Sequence, residues 1–341
     1  MNDIGAYMAD CRGLALDEIR RIMPPDHAHS GGLYCLMLDY PLRPAKALRP
    51  ALCIAACRAL GGHLEAVLPS AAVLELYHNA FLIHDDVEDG SEKRRREDTL
   101  HRIHGVPVAV NVGDGMLALT MQPLLDNMEL IGLGRALRIL EVVARMARES
   151  AEGQMMELDW IRASDWTPSD RDYVRMVYKK SAWYTFLTPL LVGAIAGGAD
   201  RFFQQRLVRF ATLLGVAFQI QDDVLNLVAE ESDYGKEIDG DLWEGKHTLI
   251  LIHAMRGAMP AERNRALECL RRPRAEKTEE GVRFLRELID RSGSIAYAWS
   301  TAALRAQHAA TQIDGIVKDL APSVHRDFLR GVADFVVGRE W

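Results

Sequence analysis

The sequence lacks a surplus of positive charge. Its 41 Lys and Arg stand against 48 Asp and Glu, a net charge of −7. Nothing is therefore available to displace counterions from a phosphate backbone, and nucleic acid is excluded as the partner. Cysteine is scarce. The five residues, Cys11, Cys35, Cys53, Cys57 and Cys269, are odd in number and contain no Cys-x-x-Cys pair, which leaves neither a zinc-ligand spacing nor a paired disulfide framework. Cys53 and Cys57 stand one helical turn apart in an apolar run and read as small core residues; the set suits a reducing cytoplasm. Sustained period-2 alternation and strong β-hairpin signals are both missing, which excludes an extended sheet. No Ser/Gly linker or low-complexity tract divides the chain, so 1–341 is read as one domain. The stretch up to Arg21 carries acids and no apolar h-region, and is not read as a signal peptide. One stretch, 181–199, is uncharged and long enough to span a bilayer. Pro189, three glycines and several hydroxyl residues interrupt it, and no second such stretch follows. It is read as a buried core helix, with no membrane span.

What is present is apolar helical periodicity. Hydrophobic residues make up 49% and charged residues 26%, enough to build a large core. Helical runs are expected over 63–89, bent near Pro69 and stopped by Gly90, and over 106–130, 135–152, 169–197 and 201–228. Shorter ones follow Lys246, separated by Pro260, Pro273, Gly293 and Pro322. The segment from Cys53 to Leu60 ends at Gly61-Gly62, a helix stop. The reading is all-α, with ten or more helices.

Asp85, Asp86 and Asp89 form an Asp-Asp-x-x-Asp motif at the end of one long run. On a helix Asp85 and Asp89 share a face, where like charges repel, and a helix C-terminus disfavours anions. A bound cation would offset both penalties. Oxygen ligands without His or Cys select a hard ion, Mg2+ above all, completed by water and substrate phosphates. An EF-hand fails, because its third and twelfth positions would be Val87 and Arg96. The bland alternative is a solvated acidic helix end. A second motif, Asp222, Asp223 and Asn226, follows Phe218-Gln219-Ile220-Gln221, an apolar setting where unpaired carboxylates are costly. Lys93-Arg94-Arg95-Arg96 comes directly after the first motif. Lys46 and Arg49 lie in Pro44-Ala45-Lys46-Ala47-Leu48-Arg49-Pro50, Lys180 precedes the uncharged run, and Lys236 and Lys246 follow the second motif. Singly each is a surface cation; together they suggest two anionic substrates, one held by metal and one by cations alone.

This constellation resembles the trans-isoprenyl diphosphate synthases, the polyprenyl synthetase family, with geranylgeranyl and farnesyl diphosphate synthases as the nearest type. The element 44–50 resembles the family's Gly-Gly-Lys-Arg-x-Arg-Pro without its glycines. His78, the first acidic motif, the Arg94-Arg95 pair, Lys180-Ser181, Phe218-Gln219 with the second motif, and the two downstream lysines match in order. Arg96-Glu97-Asp98 replaces the family's Gly-Gln-Pro, and Asn226 takes the last motif position. The resemblance implies a single helical domain around a central cavity, acting as a cytoplasmic homodimer. The implied reaction joins isopentenyl diphosphate head-to-tail to an allylic diphosphate, with a cluster of Mg2+ ions, three per active site, assisting ionisation. It implies Asp85, Asp86, Asp89, Asp222, Asp223 and Asn226 as metal ligands. Arg94, Lys180, Lys236 and Lys246 would hold the allylic diphosphate, and Lys46, Arg49, His78 and Arg95 the isopentenyl diphosphate. Ser181 and Gln219 would lie near the reacting carbons. Arg339 is read as a surface residue, and His84, His101 and His104 as structural. Tyr77, Ala80 and Phe81 would set product length, the small Ala80 deepening the pocket above Tyr77 and favouring geranylgeranyl over farnesyl diphosphate. A class I terpene cyclase and a regulatory subunit of a heteromeric prenyl synthase are the alternatives.

Overall fold

The computed structural model describes residues 3–229 and 238–337. Helices α1 (Ile4–Ile22), α2 (Leu33–Leu42), α3 (Leu48–Ala59) and α4 (Leu64–Asp89) lead into a short hairpin, β1 (Lys93–Arg94) and β2 (Glu97–Asp98). Then come α5 (Leu100–His104), α6 (Val106–Leu119), α7 (Met121–Ile131), α8 (Leu133–Ala163), α9 (Asp170–Val177), a π-helical segment (Tyr178–Leu187), α10 (Thr188–Ala196) and α11 (Arg201–Val228). Among the described residues six α-helices follow: Gly240–Glu244, Leu249–Gly257, Pro260–Leu270, Glu279–Arg291, Ser294–Val317 and Val324–Val337. The fold is all-α, as its sequence pattern predicts.

Local chemistry sets the long elements. α4 is apolar nearly all round from Val67 to Ile83 and is buried there, as a core helix must be. It stops at Gly90, whose φ of 65° closes the helix in the left-handed form. The side chain of Asp200 accepts from the Phe203 amide at 2.7 Å and starts α11. Ser169 and Asp172 form a reciprocal capping box at the start of α9. α10 packs against both α4 and α11, and the π segment is wedged between α8 and α11. That wedge depends on two glycines. A Cβ on Gly153 of α8 would lie 2.3 Å from the Lys180 backbone nitrogen, and one on Gly215 of α11 would lie 2.5 Å from the Ala182 Cβ.

Several expectations are corrected. The 106–130 run breaks at Thr120 into α6 and α7, and the 135–152 run continues to Ala163. The 169–197 run is three pieces, because the π segment interrupts it. The stretch 181–199 lies in the core, buried from Ser181 to Ala196 apart from Tyr184. Two other helical stretches are long and apolar enough to cross a membrane, Leu64–Asp89, with 72% of its apolar window buried, and Val106–Ile131, with 39%. The β1–β2 hairpin has no counterpart in the pattern, since its turn residues are Arg95 and Arg96 rather than Asn or Gly.

Candidate active site

The ends of α4 and α11 meet α8, α9 and the 241–248 segment around a cavity of about 270 Å3. Asp85 enters it from α4 and Asp222 from α11. Asp85 stands 3.3 Å from the Lys180 Nζ and 3.7 Å from the Arg94 Nη2. Burial would raise its pKa, but Lys180, Lys246 and Arg94 outweigh burial and hold it well below the carboxylate range. Asp89 pairs with the Lys246 Nζ at 2.8 Å. Burial dominates there, Asp85 repels it across one turn, and its pKa is pushed up to about 7 despite Lys246.

Asp86 is turned away by the 100° that separates neighbours on a helix. It is fully buried and does not line the cavity. Its Oδ2 accepts from the Tyr40 hydroxyl at 2.6 Å, and its Oδ1 accepts from the Arg94 Nε at 2.9 Å and from the Arg94 Nη2. Both oxygens are thus engaged in fixing Arg94. In the second motif Asp222 and Asp223 both line the cavity. Asp223 accepts from the Tyr173 hydroxyl at 2.6 Å and from the Gln219 Nε2 at 2.8 Å. Burial first, then the nearby Asp241, push its pKa well up. The Asn226 Oδ1 accepts from the Asp241 amide at 3.1 Å, and its carbonyl accepts from the Asp239 amide at 2.9 Å. Asn226 therefore tethers the turn that brings Asp241 to the cavity wall, beside a smaller cavity of about 40 Å3.

Lys180 and Lys246 bridge the two walls. Lys180 contacts the Glu157 Oε2 at 2.5 Å as well as Asp85. Lys246 contacts the Glu244 Oε2 at 2.8 Å, Asp89, and Asp241 at 3.8 Å. Burial opposes the charge on both, but the carboxylates outweigh it and raise both pKa values. Ser181 and Gln219 line the cavity, as does His84, whose Nε2 is 3.4 Å from Asp114. Lys236 and Arg339 lie outside the described residues. Among the described residues no three His, Cys, Asp or Glu side chains converge to hold an ion alone. The acidic donors of the cavity are Asp85 and Glu88 of α4, Glu157 of α8, Asp222 and Asp223 of α11, and Asp241. Oxygen-only donors of this kind suit Mg2+ whose remaining ligands are phosphate oxygens and water.

A second cationic cluster lies behind Tyr184. The Arg49 guanidinium stacks over the Tyr184 ring at 4.5 Å and donates to the Thr185 Oγ1 at 2.8 Å. The His78 ring stacks on the same tyrosine, centroids 5.9 Å apart. Arg95 donates from Nη1 to the Tyr40 carbonyl at 2.5 Å and to the Asn79 Oδ1 at 3.2 Å, with Nη2 3.5 Å from the His78 Nε2. Burial, with Arg94 and Arg49 nearby, pulls its pKa down to about 10 although Glu75 opposes this. The Arg49 Nε is buried with no hydrogen-bond partner among the described residues, a donor left for a ligand. Lys46 is exposed, its Nζ 5.5 Å from the Phe335 ring. Tyr184 itself lines the main cavity and so partitions the two clusters.

Phe81 lines the cavity, with Tyr77 behind it, the rings edge to face at 5.8 Å. Ala80 does not line it. It is fully buried with Ile19, Met37, Ile83 and Met116, because consecutive helical residues face different ways. Sequence reasoning did not find Glu157, Tyr184, Asp241 or Glu244; Glu157 lay beyond the expected end of its helix, and the others belong to no motif.

Residues 33–288 match the family described as polyprenyl synthetase. The chain is 31% identical over 329 residues to the geranylgeranyl diphosphate synthase of Methanosarcina mazei, covering 96% of this chain and 94% of that one. It is 30% identical over 295 residues to the octaprenyl diphosphate synthase of Escherichia coli, 86% of each chain. The fold matches a polyprenyl synthase from Caulobacter crescentus, solved in complex with calcium and isoprenyl diphosphate. That match has a TM-score of 0.81 and 31% identity, over 98% of this chain and 95% of that one. The chain therefore belongs to the polyprenyl synthetase family of prenyltransferases.

Proposed function

We propose that this prenyltransferase condenses isopentenyl diphosphate with an allylic diphosphate, using Mg2+. The observation that carries the two-substrate reading is the pair of cationic clusters on either side of Tyr184. A class I terpene cyclase ionises a single diphosphate and has no use for Arg49, His78 and Arg95 behind the partition. Asp85, Asp222 and Asp241 would hold the metal ions, three per site, with Asp89 entering as Lys246 shifts. When bound, Mg2+ shields charge on the leaving diphosphate. Arg94 and Lys180 hold the allylic diphosphate while its C1–O bond breaks and the electron pair leaves with the diphosphate. Asp86 and Tyr40 fix Arg94 in place, and Asp223 is fixed by Tyr173 and Gln219, so these groups position rather than coordinate. Arg49, His78 and Arg95 hold the second diphosphate with its alkene towards C1. The alkene attacks the allylic cation, a carbon–carbon bond forms, and the proton passes to the released diphosphate. Ser181, Gln219 and the Tyr184 ring line the cavity and face the cation with oxygen and π density.

Phe81, backed by Tyr77, is the floor against which the growing chain stops, giving a short to medium product with geranylgeranyl diphosphate favoured. A homodimer is supported by a surface on α6, α7 and α8 that exposes Val106, Val110, Met121, Leu125, Leu133 and Leu137 by 37–59%. Exposed apolar side chains on three consecutive helices suit an interface, and a second copy presents the same ones. Light scattering after Leu125→Glu tests this; a dimeric wild type and a monomeric variant are expected, and a monomeric wild type refutes it. The function itself is tested by incubating the pure chain with Mg2+, isopentenyl diphosphate and each allylic diphosphate. A longer prenyl diphosphate that disappears in EDTA is expected. A cyclic hydrocarbon from one substrate, or full activity in EDTA, would refute the proposal.

A further inference from the structure

The β1–β2 hairpin carries one cation for each cluster. Arg94 points to Asp86 and the cavity, and its neighbour Arg95 points the other way, to Asn79 and His78. Wherever the hairpin sits, it sets both cations at once. Yet the hairpin is poorly made to hold its own shape. Each strand is two residues long, and an isolated two-stranded ribbon is marginal in water. Its two-residue turn places Arg95 at φ 54° and Arg96 at φ 72°. Both are in the left-handed region that a type I′ turn demands and that Asn-Gly supplies far more easily than Arg-Arg.

The shape is imposed by the residue that caps α2. Arg43 is 3% exposed. Its Nη1 donates to the Arg94 carbonyl at 2.8 Å and its Nη2 to the Asp98 carbonyl at 2.9 Å, one bond to each strand. Its Nε donates to the Asp39 Oδ1 at 2.8 Å, and the guanidinium lies 4.4 Å over the Tyr40 ring. Tyr40 in turn holds Asp86 by its hydroxyl and Arg95 by its carbonyl. Arg43 does not line the cavity.

We infer that Arg43 is a positioning residue for both diphosphate sites: it clamps the strained Arg95-Arg96 turn and thereby fixes Arg94 towards one site and Arg95 towards the other. The inference rests on the two-site reading above. Arg43 holds the Arg94 and Asp98 carbonyls, which flank the Arg95-Arg96 turn, so loss of the clamp moves both cations. Left-handed residues that L side chains resist then relax away from the turn.

The experiment measures KM for each substrate, kcat and the melting temperature for Arg43→Gln and Arg43→Lys, each with and without Arg96→Gly. Arg43→Gln is expected to raise both KM values at least tenfold, with a smaller fall in kcat. Arg43→Lys keeps one charge but cannot bond both strands, and falls between. Glycine adopts the left-handed form freely, so Arg96→Gly is expected to shrink the Arg43→Gln effect at least threefold. A purely structural residue would lower the melting temperature and leave the KM of the folded enzyme alone. Folded Arg43→Gln with both KM values within twofold of wild type overturns the inference, as does an effect on one substrate only or an effect that Arg96→Gly leaves unchanged. If Arg43→Gln does not fold, Arg43→Lys decides by the same criteria. Calorimetric binding of inorganic diphosphate separates this claim from the function. A wild type that binds diphosphate but makes no prenyl product defeats the proposed function; the clamp then stands if Arg43→Gln or folded Arg43→Lys weakens that binding tenfold, and falls if neither does.

Discussion

Gly153→Ala is expected to cripple catalysis far more than it lowers stability. An alanine in a helix interior is favoured over glycine by about 1 kcal/mol. At Gly153 the added Cβ would lie 2.3 Å from the Lys180 nitrogen, 2.7 Å from its Cα and 2.8 Å from the Lys179 carbonyl carbon. These are backbone atoms, so no flexible side chain can yield. Overpacking of this kind costs about 1–3 kcal/mol, leaving a net loss of roughly 0–2 kcal/mol and a fall in melting temperature of only a few degrees. Relief requires the π segment to move by about 1 Å, which carries Lys180 away from Asp85, now 3.3 Å off, and from Glu157 at 2.5 Å. Misplacement by about 1 Å can lower a rate on the order of 100-fold. Steady-state turnover and calorimetry on the same preparation make the comparison. Gly134→Ala is the control, since it lies on the same helix with open space around it and should leave kcat unchanged. A Gly153→Ala enzyme with kcat within threefold of wild type would refute the idea that this glycine seats the π segment.

Three further outcomes are expected. Tyr77→Ala and Phe81→Ala should lengthen the product on chromatography, whereas Ala80→Phe should overpack the Ile19–Met37–Met116 cluster and lower the melting temperature; unchanged products from both cavity variants would put the floor elsewhere. Asp222→Ala should abolish turnover, by a factor on the order of a thousand or more, while leaving the melting temperature near wild type, because it removes a proposed ligand for charge that develops as the bond breaks; retained activity would remove Asp222 from the chemistry. Lys277 donates to the Trp243 carbonyl at 2.6 Å, and its pKa is pulled down to about 8, chiefly by burial. Its ordinary value is 10.5, so between about pH 8 and 10.5 the unfolded chain holds a proton that the folded chain has lost. Its contribution to stability therefore rises with pH across that window. Denaturant titrations should show the rise, and Lys277→Met should remove it.

Parts of this site were legible because they are periodic. Asp85 and Asp222 each end an apolar helix, and helical spacing alone puts them where a cavity wall needs charge. The same geometry separates neighbours in the sequence. Asp86 and Ala80 sit beside cavity residues in sequence but face away, the first into Tyr40 and Arg94 and the second into the core. Asn226 resembles a ligand by position, and its Oδ1 accepts from the Asp241 amide. Glu157 was hidden because α8 runs past Gly153, a helix-stop residue, for a further 11 residues beyond Glu152 to Ala163. The hairpin was illegible because tertiary bonds made by Arg43 and Arg95, not an Asn-Gly turn, hold it. The π segment has no sequence signature beyond the two glycines that receive it, and those lie on other helices.

The central claim is that two diphosphates bind on opposite sides of Tyr184, and KM values for the two substrates in Arg95→Ala and Lys180→Ala test it most directly. A charge-assisted hydrogen bond contributes about 1.5–3 kcal/mol, so each loss should exceed tenfold. The expected result is that Arg95→Ala raises KM for isopentenyl diphosphate while Lys180→Ala impairs the allylic substrate. Equal effects of either substitution on both substrates would contradict the separation of the sites.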